Sequence, residues 1–376
     1  MKTVLISGAG IAGPALAFWL HRYGWQPTIV ERAPVLRVGG QAVDFRGTPQ
    51  LQVLDRMGLL PAIRDAQTGM GAIAIVNEAG AKVSSLPTEA FSGDVEILRG
   101  DLGRILYEAT RDTTEYLFGD SIAAMEETPQ GVEVVFDSGA TRRFDLVAGA
   151  DGTRSRVRAL ALRSELLHLG MSTAIFTTPN TFGLDREGLM YSAPGRSATI
   201  LGLGADAKVM LDFASPEISQ EVDHRALVAH QFSCDRWKVP GLLEAMWRAD
   251  DFYFDTATQV AAEHYSAGRI VLVGDAGYGP GPGGMGTGLA VIGAYTLAGE
   301  LAAHDHHTAA FEAYERRLRP YVQICHKQAK GGEKFLVPRK RSQIWMRNQT
   351  MRLMPYLPLK KMMAKGANAI TLESYG

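Results

Sequence analysis

TVLISGAGIAGPALAFWLHRYGWQPTIVER, Thr3 to Arg32, carries the signals that decide the fold. Thr3 to Ser7 reads as a buried strand, broken by the glycines that follow. Apolar residues then recur at helical spacing through Ala15, Leu16, Trp19 and Leu20, and Gly24 is placed to end the helix. PTIVER follows as a second strand. Between the first strand and the helix stand Gly8, Gly10 and Gly13 in a G-x-G-x-x-G pattern. The first glycine permits a tight turn, the second lets backbone approach a pyrophosphate, and the third lets helix and strand pack closely. Ile11 and Ala12 fall where the helix opens, so their N–H groups and the positive dipole end are offered to phosphate. Glu31 ends the second strand 18 residues after Gly13, near the ~20 expected of a ribose-binding acid. With Arg32 beside it, Glu31 completes a candidate dinucleotide site.

Outward from this unit, TPQLQVLDRMGLL and LRGDLGRILYEAT read as helices, GVEVVFDSG alternates as a half-exposed strand, and RRFDLVAGADG runs as a strand into a turn. From about Ser172 to Ala214 the pattern changes to short β-like runs separated by glycine and proline, which predicts a mostly antiparallel sheet. ALVAHQF and VPGLLEAMWRA supply helices against it, and GRIVLVGDAG returns as a strand of the first region. At 376 residues the chain is long enough for two domains at roughly 150 residues each.

Composition narrows the function classes. A net charge of −1 gives no footprint for nucleic acid. Two cysteines, Cys234 and Cys325, lack metal or redox spacing and fit a reduced, cytoplasmic protein. No apolar run suits a membrane span or an export signal. His304, His306 and His307 read as exposed residues near a helix end, and no metal site is expected.

Two further turns bear on the cofactor. Asp151-Gly152 follows one strand, and Gly274-Asp275 follows another and opens VGDAGYGPGPGGMGTGLAVIGAYTLAGEL, Val273 to Leu301. A plain nicotinamide dehydrogenase needs neither, whereas FAD lying across a sheet needs contacts from strands far apart in sequence. With these three signatures in order over roughly residues 1 to 320, the chain resembles the class A flavin monooxygenases, the para-hydroxybenzoate hydroxylase-like family of aromatic hydroxylases.

The resemblance implies an α/β fold: a Rossmann-like FAD-binding domain, an inserted antiparallel-sheet substrate domain and a C-terminal helix. The FAD domain is expected at 1–71, 99–165 and 268–320, the substrate domain at 72–98 and 166–267, and the helical segment at 321–376. Asp275 is then placed on the ribityl hydroxyls, with Gly274, Pro282, Gly284, Met285, Gly286 and Thr287 against the flavin. Arg46 and Arg99 match arginines that contact FAD, Ile122 matches a position whose backbone meets the adenine, and Asp151 belongs to the second signature. Either arginine could instead be a surface cation or an ion-pair partner. Arg154, Arg156 and Arg158 after the second signature are either nucleotide contacts or a solvated basic turn.

The implied chemistry is hydroxylation of an aromatic or polyketide-like small molecule with NAD(P)H and O₂ through a flavin C4a-hydroperoxide, in a monomer or homodimer without stable membrane association. No second nucleotide motif is present for NADPH or NADH. No catalytic side chain is assigned; Tyr278 is a pocket candidate, as is Pro282. Tyr191, Met210 and Phe213 are substrate-pocket or core. A reductase of the same fold, such as a prenyl reductase, and a non-catalytic flavin-binding protein are the alternatives.

Departures from the family pattern are specific. GDAGY stands where many relatives have GDAAH, and Gly288 and Gly293 replace asparagine and aspartate. These features point to the branch with tetracycline-inactivating and polyketide-hydroxylating enzymes. The basic terminal segment, with Ile344, Met351 and Met354 near one helical face, could lie on a membrane surface; the resemblance implies instead a helix that packs across both domains.

Overall fold

The structure, a computed structural model, describes residues 1–36, 39–219, 221–354 and 366–375. Its first layer is a sheet in the order Ser266–Ala267, Ile270–Leu272, Leu146–Gly149, Thr3–Ser7, Gln26–Glu31, Glu115–Phe118. All pairings are parallel except the edge pair Ser266–Ala267 with Ile270–Leu272. A parallel sheet is covered on both faces, so the middles of its central strands are apolar: Leu5, Ile6, Ile29 and Val147 are fully buried. Helices Ala12–Arg22 and Gly286–Ala303 pack together on one face. The antiparallel strands Ile122–Thr128, Gly131–Phe136 and Thr141–Phe144 contribute Ile122, Val132 and Phe136 to a core with Leu5 and Val30.

The second layer is a larger sheet: Tyr253–Ala262, Ser164–Pro179, Asp206–Ala214, Arg196–Leu203, Gly188–Ala193, Ile73–Val76, Lys82–Leu86. It is antiparallel except where Gly188–Ala193 meets Ile73–Val76. The alternating pattern expected from Ser172 to Ala214 is therefore a sheet, but two of its members extend further. Ser164–Pro179 starts eight residues before the predicted run; its pairing shifts between His168 and Ser172, where Gly170 takes φ 80°. That irregularity hid the first half of the strand. Tyr253–Ala262, which carries Tyr253, Phe254, Thr256, Thr258 and Val260, is a further strand; it forms an edge of the sheet, where the Val260 N–H donates to Gly279 O at 2.8 Å.

Period two gives this sheet two unlike faces. One carries Phe176, Tyr191, Ala198, Ile200, Val209, Leu211 and Phe213, and is sealed by helices His224–Phe232 and Val239–Arg248. The other carries Ile175, Met190, Thr199, Met210 and Asp212. This second face looks to the first layer, because an added Cβ on Gly39 would lie 3.5 Å from Lys208 Nζ and 3.4 Å from Asp251 Oδ2.

The terminal segment does reach both layers. In helix Arg341–Leu353, Met351 packs with Ile73, Ile75, Leu86 and Met190 of the larger sheet. Tyr375 donates to Glu300 Oε1 at 2.6 Å, and Asn368 Oδ1 accepts from the Thr48 N–H at 2.8 Å. The part of that segment at 355–365 lies outside the described residues. Among the described residues no helix is long and apolar enough to cross a membrane.

Candidate active site

The three signature turns meet because their strands are neighbours in the parallel sheet. Thr3–Ser7, Leu146–Gly149 and Ile270–Leu272 lie side by side, so the glycine loop, Asp151-Gly152 and Gly274-Asp275 all emerge at their carboxyl ends. Backbone bonds continue past the strands: the Ala150 N–H donates to Ser7 O and the Val273 N–H to Gly149 O, each at 2.8 Å. Such a carboxyl-end crevice is where doubly wound sheets bind ligands.

The glycines divide by role as their spacing predicts. Gly8 takes φ 108°, and a Cβ there would stand 2.6 Å from Ala150 O. A Cβ on Gly13 would stand 2.0 Å from Gly8 O. Both are fixed by packing. Gly10 is different, since its nearest neighbour would be Arg99 Nη2, 3.8 Å away. Its open side faces the crevice. Ile11 and Ala12 are buried as the helix begins.

Glu31 is tied into this loop. Its carboxylate accepts from the Ala9 and Ala33 N–H groups, both at 2.9 Å, while Arg32 is exposed. Arg99 begins helix Arg99–Glu108, and among the described residues its guanidinium has no hydrogen-bond or ion-pair partner. It is instead close enough to Asp275 to oppose the rise in that carboxyl's pKa. Burial is the main cause of the rise, and Asp255 adds to it. Asp275 opens onto the crevice yet is packed around by protein, and no described residue hydrogen-bonds to its carboxylate.

Asp151 points elsewhere. It accepts from Ser155 Oγ and from the Arg156 and Val157 N–H groups, and so caps helix Arg156–Ala161. The basic run after it is not one solvated turn. Arg154 pairs with Asp255 at 3.0 Å, and Arg156 reaches Ala123 O at 3.2 Å. Arg158 is buried and donates to Ala276 O and Thr153 O, each at 2.6 Å. One guanidinium thus clamps the second signature to the third. Burial lowers the Arg158 pKa, countered by Asp151.

Arg46 is held by Asp44 and by Phe91 O, and Ile122 is buried in the core beneath the three-stranded sheet. Of the proline-glycine loop, Pro282, Met285, Gly286 and Thr287 are half-buried, and Gly284 is buried against Cys325 O. Met285 is left-handed (φ 60°, ψ 35°) and opens helix Gly286–Ala303. The loop is anchored by residues that carried no motif. Gln259 donates to Pro280 O at 3.0 Å and to His326 O at 3.2 Å, while His326 Nε2 donates to Tyr278 O at 3.1 Å.

Three pocket candidates are corrected. Tyr278 is a core residue: its hydroxyl bonds that of Tyr314 at 2.8 Å, and burial raises its pKa. Tyr191 and Phe213 lie on the sealed face, Tyr191 stacked on Trp237 and Phe213 edge-on to Phe232. Met210 alone of the three sheet candidates projects from the face toward the crevice. Its cross-strand neighbours there are Ile175 and Thr199. Further along the same face stand the Lys208–Asp251 ion pair at 2.9 Å and buried Asp212, whose pKa burial pushes up to about 6.

FAD fits these residues. An open glycine turn and a free guanidinium suit a pyrophosphate, and an unbonded carboxylate suits ribityl hydroxyls. The fold and crevice define a flavoprotein oxidoreductase. Residues 1–180 match the FAD binding domain family. An uncharacterized protein of Mycobacterium tuberculosis is 41% identical over 86% of this chain and 91% of its own length. A flavin-dependent monooxygenase of Legionella longbeachae is 35% identical, over 86% of this chain and 87% of its own. Among solved structures, the tetracycline destructase Tet(51) superposes with a TM-score of 0.88 at 31% identity, covering all of both chains. The chain belongs to the class A flavin-dependent monooxygenases, aromatic-hydroxylase type.

Proposed function

We propose that this monooxygenase hydroxylates an aromatic, polyketide-like small molecule of the tetracycline type, with NAD(P)H as reductant and O₂ as the oxygen source. The observation that carries this reading is the similarity to tetracycline destructase Tet(51) over the whole of both chains. The sheet supports it: Ile175, Met210 and Thr199 make a largely apolar strip toward the crevice, bordered by Lys208, Asp251 and Asp212. Such a surface suits a flat ring system with oxygens at its edge.

Bound FAD supplies acceptance of a hydride from nicotinamide and transfer of one atom of O₂; the chain orients and encloses. Arg99 and the Gly8–Gly13 turn hold the pyrophosphate, Glu31 the ribose and Asp275 the ribityl chain. Gln259 and His326 fix the Pro280 end of the loop against which the ring lies. Met210 and its neighbours pack the substrate there and exclude water.

The test is incubation of FAD-loaded protein with NAD(P)H, isotopically labelled O₂ and tetracyclines or simpler phenolic polyketides. A product bearing one labelled oxygen is expected. Nicotinamide oxidation giving a product with two added hydrogens and no label would make the enzyme a reductase.

A further inference from the structure

We propose that a cavity behind the proline-glycine loop receives the phosphate-bearing part of the nicotinamide dinucleotide. This rests on the nicotinamide-dependent reading above and adds to it a place on the molecule. The cavity is about 540 Å³ and lies between the irregular part of strand Ser164–Pro179, at His168 and Gly170, and the segment after helix His307–Ala329. That segment lines it with Lys330, Lys334 and Arg339 against one acid, Glu333.

The position is what ties it to the flavin site. A Cβ on Gly281 would come 2.5 Å from Leu169 Cδ1, and one on Gly332 would come 3.4 Å from Pro282 O. Leu169 also lines the cavity. The loop that the resemblance sets against the isoalloxazine is therefore packed on residues in or beside the cavity wall. A dinucleotide anchored here by its phosphates would lie beside that loop.

The charge is local. The chain as a whole is −1, yet no acidic residue occurs from 335 to 371. Lys330, Lys334 and Arg339 are exposed, and none is in an ion pair among the described residues. Arg339 uses one N–H on Gly170 O at 3.3 Å and, among the described residues, makes no other hydrogen bond. Gly331, at φ 96°, turns the backbone between the two lysines, and His168 is fixed from behind by Ser215 O at 2.8 Å. Separate long cations around a cavity of this size suit a ligand with several phosphate charges better than a single carboxylate. Because they are exposed, the attraction is screened by salt and the complex short-lived, as a co-substrate that leaves each cycle requires. The Gly8–Gly13 turn, which links a strand to a helix, is assigned to FAD in this reading; the other runs with the same glycine spacing, Gly279–Gly284 and Gly281–Gly286, lie in the proline-glycine loop itself.

The experiment is anaerobic stopped-flow bleaching of the FAD-loaded protein by NADPH and by NADH, over a range of concentrations and salt. The wild type is compared with Lys330→Glu/Lys334→Glu, and with the milder Lys334→Gln and Arg339→Gln should the double variant lose FAD. In the double variant the half-saturating nicotinamide concentration should rise tenfold or more and lose most of its salt dependence, with FAD content and limiting bleaching rate unchanged. The single variants should show smaller rises. Unchanged half-saturation in variants that retain FAD would overturn the site. So would a rise confined to the KM of the organic substrate, which would make the cavity a substrate entrance. Wild-type protein bleached by neither nucleotide would remove the nicotinamide reading itself, and this site with it.

Discussion

The phenolic oxygen of Tyr278 occupies the space in which a side chain on Gly293 would begin, 2.0 Å from the Cβ position. Two of the departures from the family pattern, Tyr278 and Gly293, are one feature. Where relatives place aspartate on the long helix and histidine after the G-D turn, this chain removes the first side chain and fills the gap with the second. Gly288 and Gln50 repeat the arrangement: a Cβ on Gly288 would stand 2.1 Å from the Gln50 carboxamide carbon, which is buried and linked to the Arg46 N–H and the Tyr321 hydroxyl.

Gly293→Ala should therefore destabilise the protein by ~1–3 kcal/mol through overpacking. Removing the Tyr278 hydroxyl in the same chain should recover part of the loss. Denaturant unfolding of Gly293→Ala, Tyr278→Phe and the double variant checks this. Strictly additive effects would show that the two positions are not coupled.

Asp275→Ala should weaken FAD binding by about tenfold to a hundredfold, the value of one hydrogen bond to a charged acceptor, ~1.5–3 kcal/mol. Titration of apoprotein with FAD, followed by flavin fluorescence, reads it directly. Equal affinity in wild type and variant would move the ribityl contact elsewhere.

Glu31→Ala loses a ribose acceptor and also frees the Ala9 and Ala33 N–H groups that the carboxylate now holds. FAD affinity should fall, while turnover at saturating FAD stays near wild type, since Glu31 stands at the adenosine end. Turnover that saturating FAD does not restore would assign Glu31 a part in the chemistry.

Arg158→Met leaves the carbonyls of Ala276 and Thr153 without their buried donor. Each such loss costs ~1–3 kcal/mol, so the apoprotein should melt earlier and FAD should bind more weakly. Arg158→Lys can serve one carbonyl well and should recover only part of both. A Met variant with unchanged melting and affinity would mean the clamp is dispensable.

Asp212 gives a pH dependence of defined sign. Its pKa, about 6 in the folded chain against an ordinary 3.8, means that folding favours its protonated form. Its contribution is full below about 4 and is lost as pH rises through about 6. Asp212→Asn should accordingly match wild-type stability near pH 4 and exceed it above pH 6, by on the order of 3 kcal/mol. Urea unfolding across pH 4–8 measures the difference. A gap that does not widen with pH would show that Asp212 ionises at an ordinary pKa.

Local pattern carried the nucleotide half of this protein. The spacing of Gly8, Gly10, Gly13 and Glu31 marks a βαβ unit because each residue meets a constraint set by its immediate neighbours in sequence. The same holds for the alternating strands of the larger sheet. Tyr253–Ala262 and the start of Ser164–Pro179 escaped because an edge position and a left-handed Gly170 break the period on which such reading depends.

What the tertiary structure decided was direction. Period two says that Met210 and Phe213 face opposite ways, but only packing against helices His224–Phe232 and Val239–Arg248 says which face is sealed. Nor could any local signal show that Arg158 reaches Ala276, that Gln259 and His326 hold the proline-glycine loop, or that Tyr278 fills the gap at Gly293. Those contacts span from tens of residues to more than a hundred. Glycine spacing and strand ends were enough to mark three turns as places where a flavin could rest. Which side chains face it, and which brace the turns from behind, followed from the order of strands in the sheet, a property of the assembled chain.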